Sequence, residues 1–182
     1  MIQNREDAAK EAAMRVAQDM VAAAVTAPKG HGLDNLLAVI VDGKEKDELA
    51  NHMRAIYDEG AEEFFNRDAG CVDASHCVVL LATKDEPTLL NNCAYCGLPD
   101  CAANREVGAS CALNVTDLGI AVGSAVSIAA DNRIDNRILF SAGKAAIRMG
   151  IFGDGVKVCY GIPLSTYSKS NFFDREPGAV LR

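Results

Sequence analysis

The run Cys93-Ala-Tyr-Cys96-Gly-Leu-Pro-Asp-Cys101, followed by Cys111, sets four thiols in the spacing C-x2-C-x4-C-x9-C. Thiolates are soft ligands, and four in one short segment suit a tetrahedral zinc ion or an iron–sulfur cluster. Zinc sites usually show two C-x2-C pairs. Here only one pair has that spacing and the other intervals are unequal, with Gly97 between them, a pattern closer to an iron–sulfur loop. Cys93, Cys96, Cys101 and Cys111 are therefore the expected ligands of a [4Fe-4S] cluster. A structural zinc ion and four free buried thiols are the alternatives. Asp100, beside Cys101, reads as a turn residue, with an oxygen ligand as the second reading. Cys77 and Cys159 lie in apolar runs and read as small core residues; Cys71 receives no role.

The chain around these residues has 182 positions, a net charge of -7, 49% hydrophobic residues, 5% aromatics and no Trp. One compact domain over 1–182 is expected, with the cluster loop at 91–112 and a core of Ala, Val, Leu and Ile. The acidic balance argues against nucleic acid, whose phosphates need a basic face. The polar, charged start has no signal-peptide pattern. The longest apolar run, near 115–130, is broken by Thr116, Asp117, Gly119, Gly123 and Ser124, so no membrane span is expected. An odd count of 7 cysteines suits thiols or ligands in the cytoplasm better than disulfides.

Apolar spacing predicts the elements that position the cysteines. Residues 4–25 read as a helix, with Ala9, Ala13, Val16, Met20 and Ala24 as its buried stripe, ended by Pro28 and Gly30. Strands are expected at 36–41, 77–82 and 156–162. Helices are expected at 46–65, 117–130 (with Asp117 as its N-cap) and 141–149. The cysteine segment reads as an irregular loop, and 131–138 as a loop or short strand. Phe172 and Phe173, in the tail 164–182, need cover. This order implies a mixed α/β or α+β sheet with helices packed on it, of which α+β is the expected class.

Two resemblances enter here. Asn92 to Cys101, Asp117-Leu-Gly-Ile-Ala-Val-Gly-Ser-Ala125 and Asp131-Asn-Arg-Ile-Asp-Asn-Arg137 resemble the ferredoxin-domain-containing proteins of the DUF2148 type. Thr26-Ala-Pro-Lys-Gly30, Tyr160-Gly-Ile-Pro-Leu-Ser165 and Asn171-Phe-Phe-Asp-Arg175 are similar to that family as well. The resemblance implies a cluster but names no reaction. The second resemblance is to the FMN-dependent nitroreductase fold. Ala27-Pro28, Asp34-Asn35 with the following strand, Asp117 to Ala121, and Val158-Cys-Tyr-Gly-Ile-Pro163 carry it. The Arg-rich start that grips the FMN phosphate in that fold has no counterpart here, and Asn35 lacks the usual Asn-x-Gln-Pro setting.

This second resemblance implies FMN, a homodimer with flavin sites at its seam, and a nitroreductase-like sheet interrupted by the cysteine loop. Lys29 is the phosphate cation the resemblance implies, and Asn35 lies in the segment that approaches the flavin. Gly119 and Gly123 are expected to line the flavin ring or the subunit seam, or to allow close helix packing. Arg133, Arg137, Lys144 and Arg148 are phosphate candidates by chemistry alone. Lys29 as a helix cap, and Arg133 and Arg137 paired with Asp131 and Asp135, are the plainer readings. The expected activity is electron passage between the cluster and FMN, with an electron-transfer protein or a nicotinamide as partner. A cluster-only carrier or sensor, and a zinc-dependent interaction protein, are the alternatives.

Overall fold

The computed structural model describes residues 2–173. Helix α1 spans Arg5–Thr26, and the Asn4 side chain caps it by accepting from the Asp7 amide at 2.9 Å. A single 3-10 turn, Gly30–Gly32, follows with His31 in the left-handed region (φ 58°). The chain continues through β1 Leu36–Asp42, α2 Gly43–Asp58, α3 Phe64–Asp73 and β2 Cys77–Lys84. Beyond the cysteine segment come α4 Cys101–Val107, α5 Ala112–Asp131, β3 Asp135–Asn136, α6 Phe140–Arg148 and β4 Val156–Ser165.

The strands form one sheet in the order β1-β2-β4-β3. Every pairing among the described residues is antiparallel, where a mixed sheet was expected within the α+β class. The central strand β2 is buried from Cys77 to Thr83. Because strand side chains alternate, β2 serves two cores. Val78, Leu80 and Ala82 pack with Leu49 and Met53 of α2, Val72 of α3 and Ala142 of α6. Cys77, Val79 and Leu81 pack with Met20 of α1 and Leu118 and Val122 of α5. Helices thus cover both faces of the sheet.

With few aromatics, the layers approach closely. A methyl group built on Gly143 of α6 would stand 1.9 Å from the Cys159 carbonyl oxygen of β4, and one on Gly161 would stand 2.6 Å from Ala142 Cβ. Small residues at these two positions let α6 lie against the strand.

Several boundaries differ from expectation. The helix read over 46–65 is two helices, because Gly60, at φ 100°, turns the chain between α2 and α3. This places Cys71 on a helix and buries it. The cysteine segment contains the short helix α4, which Asp100 caps from the Ala103 amide at 2.9 Å. Helix α5 starts at Ala112, so Asp117 lies inside it and is not an N-cap; its carboxylate instead accepts from the Gly30 amide at 2.9 Å. Strand β4 runs past Pro163 to Ser165. By length and composition α5 is one helix apolar enough to cross a membrane, yet it packs one side on α1 and the sheet. Phe172 is fully buried and Phe173 is exposed; Asp174 and Arg175 lie outside the described residues.

Candidate functional site

All four loop cysteines line one small cavity, together with Pro87, Leu90, Tyr95, Leu98, Asp100, Asn104 and Leu113. Its free volume is about 20 Å³, roughly that of one water. Local structure explains how each thiol arrives there. Cys93 and Cys96 flank a turn in which the Gly97 amide donates to the Ala94 carbonyl at 3.0 Å, with Gly97 at φ 82°. Cys101 opens α4, and Cys111 is the residue before α5.

No three His, Cys, Asp or Glu side chains among the described residues gather tightly enough to hold a single metal ion. The thiols share a cavity without converging on a point, so a single bound ion would require the loop to draw in. The wall does carry one unmet polar atom: Asn104 Oδ1 is buried without a partner, while its Nδ2 donates to the Ser110 carbonyl at 3.5 Å. Four soft donors lining one cavity fit a thiolate-ligated group better than an apolar filling; the Asn104 oxygen is an acceptor and would take its partner from elsewhere.

Cys111 differs electrostatically from the core cysteines. Burial pushes its thiol up, but the Thr88 hydroxyl and backbone amides of Asn114, Thr88 and Leu113 outweigh that and hold it below the usual cysteine range. Burial instead pushes Cys77 and Cys159 up to about 12, in keeping with their expected role as core residues.

Beside this cavity lies a buried polar cluster that the sequence reading missed. Asn114 Nδ2 donates to the Lys84 carbonyl at 3.3 Å and to the Glu86 carbonyl. Its Oδ1 accepts from Thr88 Oγ1 at 3.1 Å and from Asn35 Nδ2 at 3.4 Å. The available signal was a pair of polar residues, Thr88 and Asn114, in apolar surroundings (Asn114 at the start of the longest apolar run) next to the cysteines.

The flavin candidates divide into two groups. Asn35 meets Asn114, and Gly30, next to Lys29, meets Asp117, so Lys29 and Asn35 sit by the N-terminal half of α5. The Lys29 ammonium caps the end of α1, donating to the carbonyls of Ala24 (3.3 Å), Val25 and Ala27 (2.9 Å), with Asp34 3.9 Å away. Gly119 and Gly123 lie on the exposed face of α5, with open space where a side chain would stand.

Arg133 and Arg137 lie beyond the other end of α5, whose axis from Asn114 to Asp131 is about 26 Å long at 1.5 Å per residue. Arg133 is exposed, and Arg137 donates to the Phe172 carbonyl at 3.0 Å and lies over the Phe173 ring. Neither arginine pairs with Asp131 or Asp135 among the described residues. One chain therefore does not bring Lys29 and these two arginines to a common ligand. Arg148 is engaged by both Glu59 carboxylate oxygens, and Lys144 is exposed on α6.

Known proteins place this geometry in context. The family of uncharacterized proteins containing a ferredoxin domain matches residues 107–175, a span that includes Cys111, α5 and all of β4 but not the first three loop cysteines. An uncharacterized protein of Archaeoglobus fulgidus is 38% identical over 97% of this chain and 99% of its own length. Among solved structures, a nitroreductase with bound FMN from Desulfitobacterium hafniense is similar with a TM-score of 0.58 and 15% identity, over 93% of this chain and 81% of that one. A putative nitroreductase in complex with FMN from Desulfovibrio desulfuricans gives a TM-score of 0.58 and 15% identity over 91% and 80%. The nitroreductase NfnB of Mycobacterium smegmatis, in complex with NADPH, gives 0.58 and 13% over 85% and 78%. These likenesses establish the fold as nitroreductase-like. The chain belongs to the family of proteins containing a ferredoxin domain of the DUF2148 type.

Proposed function

We propose that this protein is a redox protein holding a [4Fe-4S] cluster on Cys93, Cys96, Cys101 and Cys111, with FMN beside Lys29, Asn35 and the exposed glycines of α5. The observation that carries the reading is the meeting of all four thiols on one cavity wall. A cubane places one iron at each thiolate, so it asks for less convergence than a single zinc ion, which needs four sulfurs about 2.3 Å from one point. When bound, the two groups supply one-electron transfer at the cluster and one- or two-electron transfer at the flavin.

The residues have separable tasks. The cysteines ligate, and Thr88 and the backbone amides donate to Cys111. Lys29 is the cation beside the 27–32 turn, although it must leave the α1 carbonyls to reach an anion. The FMN-bound neighbours support a flavin here by fold, at identities that leave residue roles open to test.

A homodimer belongs to the same reading. Helix α5 is strongly apolar, yet Gly119, Ile120, Gly123 and Ser127 are exposed in this chain. A second copy packed there would cover this face and bring the far arginines of one chain toward the cleft of the other.

The test is anaerobic purification with iron, sulfide, zinc and FMN measured on one sample. About four iron and four sulfide per chain with FMN is the expected result. Iron and sulfide without FMN would leave a cluster-only carrier or sensor, and zinc alone would overturn the reading. Sedimentation at micromolar concentration is expected to show a dimer.

A further inference from the structure

Of the four thiols, Cys111 has a buried hydroxyl at its sulfur. Thr88 is 2% exposed, and its Oγ1 lies 3.4 Å from Cys111 Sγ and 3.1 Å from Asn114 Oδ1. A threonine hydroxyl has one proton to donate. With Cys111 as a thiol, the S–H can donate to Thr88 and the Thr88 proton can go to Asn114. A metal-bound thiolate has no proton and only accepts. The hydroxyl is then the side-chain group placed to turn its proton to the sulfur, beside the backbone amides that already point there.

Asn114 stays fixed through this exchange, because its Nδ2 is tied to the Lys84 and Glu86 carbonyls. Those two acceptors also settle which end of the amide faces Thr88. Its Oδ1, released by Thr88, keeps Asn35 Nδ2 as its remaining donor.

We propose that Thr88 is the positioning residue of the cluster site, its hydroxyl turning from Asn114 to donate to the ligated Cys111 sulfur. The proposal rests on the cluster reading given above. A hydrogen bond to a ligand sulfur stabilises the more negatively charged, reduced form, so removing it lowers the potential. Thr88→Val keeps the branched shape and deletes the hydroxyl; Thr88→Ser keeps the hydroxyl.

The experiment is a redox titration followed by electron paramagnetic resonance on anaerobically purified wild-type, Thr88→Val and Thr88→Ser proteins, each with measured iron and sulfide. Thr88→Val is expected to retain the cluster while its reduction equilibrium falls about tenfold, which is about 59 mV for one electron. Thr88→Ser is expected to stay close to wild type. A Thr88→Val protein without iron beside a loaded Thr88→Ser protein at wild-type potential also supports the role of the hydroxyl. A fully loaded Thr88→Val protein with the wild-type potential overturns the proposal alone, as does loss of iron from both variants. A wild-type protein without iron or sulfide overturns the cluster reading and this proposal together.

Discussion

Substituting Gly143 by Ala tests the tightest contact in the fold. The added methyl carbon would meet the Cys159 carbonyl oxygen at 1.9 Å, the carbonyl carbon at 2.4 Å and Tyr160 Cα at 2.9 Å. All three are backbone atoms, so no side chain can rotate away. Helix α6 must move more than 1 Å from β4, opening the packing of Ala142, Ala145 and Ala146 in the core below. Overpacking of this kind costs about 3 kcal/mol or more, against about 1 kcal/mol gained from Ala in a helix interior. The net loss is about 2–3 kcal/mol, which lowers Tm by roughly 4–12 °C in a chain of this size. Gly119→Ala is the comparison, since open space surrounds that position in one chain while the proposed dimer would cover it. In a lone chain it adds about 1 kcal/mol of stability. Thermal unfolding at several protein concentrations reads both effects. A Gly143→Ala protein melting with wild type would refute the close approach of α6 to β4. A Gly119→Ala protein that melts lower and dissociates on dilution would locate the subunit seam on α5.

Two further expectations follow from titrating groups. His76 is held below 6.5 by burial, then by Lys10 and Lys46, while its ring meets Thr166 Oγ1 at 2.7 Å. Folding therefore favours the neutral ring, and its contribution is present above pH 6.5 and lost as pH falls below that toward the folded value. Denaturant unfolding between pH 7.5 and 5 is expected to show a smaller decline in His76→Asn than in wild type; equal declines would refute it. In metal-free protein at pH 8, iodoacetamide is expected to modify Cys111 well before Cys77 and Cys159, the latter two reacting only in denaturant. Early labelling of Cys159, read by peptide mass spectrometry, would contradict its burial under α6.

The fold was largely legible because its strongest signals are local. The aliphatic runs at β1, β2 and β4 have no competing pattern, and the alanine stripe of α1 repeats at helical spacing. What stayed hidden depends on contacts between distant positions. Asp117 looks like a cap because it precedes an apolar run, yet Leu113 and Val115 continue the helix upstream and its true partner, Gly30, lies 87 residues away. Helix α3 was masked because its Phe64-Phe65 start reads as the end of the preceding helix; the turn at Gly60 separates them. The loop cysteines announced themselves by spacing, whereas Thr88 and Asn114 act through partners 23 to 79 residues away. For Arg133 and Arg137, chemistry suggested an anion but not their distance along α5.

The cysteine loop has a consequence for how the protein matures. Its ends are anchored by the Asp85 amide on the Gly155 carbonyl, by Lys157 on Asp85 and Gly108, and by the Asn114 cluster. Between Leu89 and Asp100, the hydrogen bonds seen among the described residues stay within the segment and α4. Opening this stretch breaks few ties and leaves the sheet and both cores intact, so it sits at the low end of local stability. If the cluster proposed above is bound there, its insertion would follow folding instead of driving it. By the same reasoning, a chain stripped by oxygen remains a folded acceptor that can be reloaded.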